Sequence, residues 1–188
     1  LFFTNIYLDN NYSFNMLGVA IMSKILDFNE LFFGDLTEYK KLIIELLESL
    51  RIVSPTTFWS MDASTKKGLS TVVTMEIINI ILDSFDAVSD NLYSNTLMAH
   101  EFPYFVETKE MVECLLMDPI YESDEFLNLA ITLTSDFFTL LEVKLLLFDG
   151  CQTEIEAPQN VIEEYDRELD NYFKRFNNYR DEFMELHK

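Results

Sequence analysis

IEEYDRELDNYFKRFNNYRDEFMEL, residues 162–186, reads as helix and as nothing else. Its apolar positions are Ile162, Tyr165, Leu169, Tyr172, Phe176, Tyr179, Phe183 and Leu186, alternately three and four residues apart. That is an a/d seam sustained for more than three heptads. The seam is mostly aromatic and the remaining positions are mostly charged. Such a seam usually docks on other helices of its own chain. The sharper alternative is a dimer or a partner helix. Its tyrosines suit a half-wet edge, because each hydroxyl needs water or a partner. Phe173 lies off the a/d line and is available to a second surface.

Residues Phe126 to Phe148 are apolar nearly all round, the pattern of a helix surrounded by others. They need cover, and the aromatic seam is the best available. Tyr165, Leu169, Tyr172, Phe176 and Phe183 are therefore expected to face inward. Asp149-Gly150 ends the apolar helix. Pro158 suits the first turn of the last one.

The earlier chain extends the same pattern. Asp35 and Glu38 can cap a helix whose face is Tyr39, Leu42, Ile43, Leu46 and Leu50, ending near Arg51 before Ser54-Pro55. Pro55 to Gly68 reads as a polar loop anchored by Phe58 and Trp59. Leu69 to Leu92 follows helical spacing again, Asn91 to Val106 reads as a connector, and Glu107 to Met117 as a short helix with Thr108 as N-cap. At the start, Leu1 to Leu8 is rich in β-formers and Asp9-Asn10-Asn11 is turn chemistry, so the segment reads as a small β-hairpin, with a short helix from Met16 to Leu26 competing with its second half. Residues 1–21 read either as that hairpin or as a segment appended ahead of Met22-Ser23-Lys24. The fold expected is mainly α, a single-domain bundle of about five helices over residues 1–188.

Composition narrows the function classes. Four glycines and four prolines in 188 residues argue against a turn-rich sheet fold and against disorder. Thirteen basic residues face 33 acidic ones, a net charge of −20. That balance opposes direct binding to nucleic acid, which needs lysine and arginine to displace counterions, and opposes anionic membranes. It favours a basic partner; the plainer reading is that charge keeps an aromatic-rich chain dispersed. Cys114 and Cys151 are too few for a disulfide framework and read as reduced thiols of a cytoplasmic protein. No run is apolar and uncharged enough to span a bilayer, since Phe126 to Phe148 contains Asp136, Glu142 and Lys144. No basic n-region marks a secretory signal.

Catalytic chemistry finds little footing. His100 and His187 are the two histidines, and neither accompanies a nucleophile motif. Zinc lacks ligands at useful spacing. Asp83, Asp86 and Asp90 are helically spaced, and the loop Asp118, Glu122, Asp124, Glu125 has no glycine, so neither forms a calcium loop. Gly18, Gly34, Gly68 and Gly150 stand too far apart for a phosphate loop. No cofactor is expected.

One pair invites a metal reading. Glu45 and Glu48 form an ExxE on one helix, and Glu76 and Asn79 occupy matching positions on the next. Carboxylates at i,i+3 share a helix face and can hold Mg²⁺. Over roughly Lys40 to Ser89 this resembles the all-α nucleotide pyrophosphatases, the MazG and dimeric dUTPase group. There ExxE and ExxD on adjacent helices bind Mg²⁺ around a nucleoside triphosphate; here Asn79 stands at the final Asp position. Phe58-Trp59-Ser60 resembles the aromatic linker of that group. The resemblance implies a Mg²⁺-dependent pyrophosphatase with Glu45, Glu48, Glu76 and Asn79 as ligands.

The favoured expectation is non-enzymatic. Glu163, Glu164, Asp166, Glu168, Asp170, Asp181, Glu182 and Glu185 give the last helix an acidic outer surface. It is expected to meet a protein with a basic surface, in the manner of a nucleic-acid mimic that inhibits its target. The Asn-, Ile-, Asp- and Phe-rich composition suits a small viral or phage host-interaction protein. A third reading is a structural subunit, with a homodimer through the last helix.

Overall fold

The computed structural model describes residues 36–53, 63–117 and 124–188, all within the unit Leu36–Lys188. Among these residues there are five α-helices and no strand. They are α1 (Leu36–Val53), α2 (Ala63–Ser94), α3 (Phe102–Met117), α4 (Asp124–Leu147) and α5 (Gln159–Leu186). Single 3₁₀ turns, Thr96–Met98 and Glu154–Glu156, precede α3 and α5. The hairpin expected in 1–21, the Asp35 cap and the Phe58-Trp59 anchor lie outside the described residues.

Helix α4 is the hub, with α1, α3 and α5 packed on it; α2 packs on α1 and α3. Its apolar positions are the cause: Phe126, Leu127, Leu129, Ala130, Leu133, Phe137, Phe138, Leu140 and Leu141 are all buried. A file of rings ties the layers together. Phe85 of α2 lies 5.8 Å from Phe105 of α3, Phe105 lies 5.5 Å from Phe137 of α4, and Phe137 lies 5.9 Å from Tyr172 of α5. Such tilted and edge-on pairs each add about 0.5–1.5 kcal/mol beyond the area they bury.

Helix α4 is not covered on every side, contrary to its sequence pattern. Asn128, Thr132, Thr139 and Leu146 form an exposed strip. The threonine hydroxyls donate to backbone carbonyls four residues back, Asn128 O at 2.8 Å and Ser135 O at 2.7 Å. Two boundaries also differ. Helix α2 begins at Ala63 rather than Leu69, carrying Gly68 inside it at a cost of about 1 kcal/mol relative to alanine. Helix α3 begins at Phe102 rather than Glu107. Pro103 sits in its first turn, where a missing N–H costs nothing, and Phe105 N–H donates to Glu101 O at 3.0 Å. Thr108 is thus a fully buried mid-helix residue and not a cap.

The link from α4 to α5 turns at Gly150, whose φ of +79° lies in the left-handed region, and Cys151 N–H donates to Phe148 O at 2.9 Å. Pro158 caps α5, its carbonyl accepting from Val161 and Ile162. Along the seam, Tyr165, Tyr172 and Phe176 are buried, while Ile162, Leu169, Tyr179, Phe183 and Leu186 are half-buried. The seam is therefore intramolecular at its centre and wetter toward its C-terminal end. Phe173, off the line, packs on Tyr104 with centroids 4.7 Å apart.

Candidate functional site

The outer surface of α5 has a simple origin. The seam turns one face of the helix onto α4 and α3, so the positions between seam residues face water, Phe173 excepted. Glu163, Glu164, Asp166, Glu168, Asp170, Asp181, Glu182 and Glu185 are all exposed. None forms an ion pair with another described residue; Glu163 accepts a hydrogen bond from Gln159 at 3.2 Å. The arginines in the middle of the same helix behave differently. Arg175 holds Asp136 of α4 in a two-point contact at 2.8 and 2.9 Å, and Arg180 holds both oxygens of Glu107 of α3. Arg180 also lies over the Phe176 ring, 5.1 Å from its centroid. These two cations are directed onto the body of the bundle, while Arg167 and Lys174 stay exposed among the carboxylates, which outnumber them on the outer face.

A second assembly was not legible from motifs. Lys144, on an apolar turn of α4, is fully buried. Its Nζ lies 2.5 Å from Glu101 Oε2 and 2.5 Å from Glu154 Oε1. Glu101, just ahead of α3, is also fully buried, and its Oε1 accepts from the Tyr165 hydroxyl at 2.6 Å. The ammonium lies 4.9 Å from the Tyr165 ring centroid and 5.9 Å from that of Phe148. His100 Nδ1, on the solvent side, lies 3.0 Å from Glu154 Oε2. Burial first, then the charge of Glu101, pushes the Tyr165 phenol far above its ordinary value of 10.0. Tyr172 is raised as well, chiefly by burial. Enclosed and held by two carboxylates, Lys144 is suited to fastening α4, α5 and the two connections together, and poorly suited to nucleophilic attack.

The signal for this cluster was present in one residue. A lysine inside an otherwise apolar helix demands a carboxylate, because an unpaired buried charge is too costly. Nothing local marks Glu101 as the partner, 43 residues away.

Glu45, Glu48, Glu76 and Asn79 are all exposed. Glu48 is drawn to Arg51 at 3.3 Å, one turn along α1. Among the described residues, no group of three or more His, Cys, Asp or Glu side chains is placed to hold a metal ion. Cys114 and Cys151 are free thiols. No helix among the described residues is long and apolar enough to cross a membrane. In comparisons with known proteins, no family model matches the chain, and neither a curated protein nor a solved structure matches it significantly.

Proposed function

We propose that this chain is a non-enzymatic, acidic helical protein that binds a basic protein partner through the outer face of α5. The observation that carries the reading is the division of charge on that helix. Eight carboxylates stand exposed and form no ion pair among the described residues, against two exposed cations on the same face, Arg167 and Lys174, while Arg175 and Arg180 are committed to Asp136 and Glu107. Self-repulsion makes such an arrangement mildly unfavourable for the isolated fold, and a basic partner relieves it. A rigid helix with carboxylates near each end offers the charge pattern of a nucleic-acid backbone. The concrete form of the proposal is therefore an inhibitor that occupies a phosphate-binding groove of its target, as a viral or phage host-interaction protein would.

The test begins with capture of the partner from the native host and its identification by mass spectrometry. Titration of the purified pair should then show affinity falling roughly tenfold or more between low and physiological salt, as screening shortens to about 8 Å. Neutralising Glu163, Glu164, Glu168 and Asp170 to their amides should weaken binding and flatten the salt slope. An affinity indifferent to salt and to those substitutions overturns the proposal.

A further inference from the structure

We propose that residues 152–157 form a two-position strap, in which Glu154 and Ile155 exchange places when the Lys144–Glu154 pair is broken. This goes beyond the reading of α5 and does not depend on it.

The strap breaks the usual rule of burial. In Glu154-Ile155-Glu156 the isoleucine is 93% exposed, while the Glu154 side chain is only 27% exposed and points to the buried Lys144. An apolar residue turned out beside a charged one turned in requires a local cause. Lys144 is that cause. Two carboxylates surround one ammonium, so the cluster holds one more negative group than it needs. Glu101 is fully buried and held additionally by Tyr165; Glu154 is the carboxylate that can leave without orphaning Lys144. The place it would vacate lies beside Lys144 Nζ, 2.5 Å from it, and Nζ in turn lies 4.9 Å from the Tyr165 ring centroid and 5.9 Å from that of Phe148, so an isoleucine side chain moving inward would approach those rings.

Both ends of the strap are fixed. Gln152 O accepts from Thr96 Oγ1 at 3.0 Å, and Gln152 N–H donates to Glu156 Oε2 at 2.8 Å. Ala157 is buried just before Pro158. Movement is thus confined to one 3₁₀ turn, closed by Ala157 N–H to Glu154 O at 3.1 Å and Glu156 N–H to Thr153 O at 3.3 Å. The groups facing Glu154 are Lys144 from α4 and His100 from the connection ahead of α3. Glu101 and Tyr165 stand behind Lys144. A cationic side chain of a bound molecule competing for Glu154 would release the strap and withdraw Ile155 from the surface.

The experiment places a lone indole in the strap, Ile155→Trp with Trp59→Phe. With Glu154 intact, emission should be that of a water-exposed indole, fully quenched by acrylamide. Adding Glu154→Gln should move emission to the blue and cut the quenching constant about threefold, the mark of a majority population shifted inward. Unchanged emission and quenching in the folded variant overturn the proposal. If Glu154→Gln does not fold, the Ile155 methyl is followed by NMR at neutral pH in Glu154→Ala against the unsubstituted protein. An upfield ring-current shift supports the strap, and a constant shift overturns it.

Discussion

Helix α5 is fastened to the bundle in two regions by similar chemistry under opposite conditions. Near its N-terminal end, Tyr165 reaches Glu101 and, through it, Lys144; these groups are buried, and Glu101 and Lys144 fully so. Further along, Arg175 and Arg180 reach Asp136 and Glu107 at the surface, with the arginine side chains nearly half exposed. In the first region Glu101 has exchanged all its water for Lys144 and Tyr165, so losing Lys144 strands it. In the second, water replaces whatever is removed. The lesson is that short distances alone do not rank these contacts; enclosure does.

The largest loss is expected for Lys144→Ala. It leaves Glu101 buried without its counter-charge and should cost about 3–5 kcal/mol, read as a lower urea midpoint. Replacing Lys144 and Glu101 together by methionine should recover most of that loss, since the penalty lies in the stranded charge and not in the absence of an ion pair. Next is Tyr165→Phe, which removes one donor to a buried carboxylate and should cost about 1.5–3 kcal/mol in the same assay.

Alkaline pH sharpens the contrast through the same tyrosine. Burial raises the Tyr165 and Tyr172 phenols above their ordinary value of 10.0. The folded state therefore holds these protons more tightly than the unfolded chain does. Their contribution is complete below pH 10 and is lost as pH rises through the folded values, at about 1.4 kcal/mol per pH unit for each. Absorbance titration should show both phenols ionising only as the helical signal collapses. The smallest effects belong to the surface pairs. Arg175→Ala and Arg180→Ala should each cost at most about 1 kcal/mol and less at high salt, with Arg180 the larger because it also covers Phe176.

What the sequence revealed follows from the range of the forces involved. Helical periodicity is local, so α1, α4 and α5 were legible from their apolar spacing, as were Gly150 and Pro158 as punctuation. The exposure of the eight acidic residues on α5 was legible too, because all of them lie off the seam. The start of α3 was missed because Phe102-Pro103-Tyr104 has the look of a connector, although proline in a first turn is a helix signal. The exposed strip of α4 was missed because Leu146 keeps the pattern apolar. The Lys144 cluster depends on contacts between residues far apart in the chain. Lys144 announced a need, but Glu101 and Glu154 become its partners only once α3 and the strap are folded against α4.

The turn at Gly150 carries a handedness. Its backbone is left-handed, yet a Cβ built there meets no atom of a described residue within 4 Å. The obstacle to a side chain is thus torsional and not steric. An L-alanine at this position should cost about 1–2 kcal/mol, the ordinary penalty for that region. A D-alanine introduced by semisynthesis should instead stabilise the fold by about 0.4–1 kcal/mol, because it narrows the unfolded ensemble without straining the folded one. The turn that delivers the chain to the strap and α5 discriminates by chirality and leaves room for a methyl group.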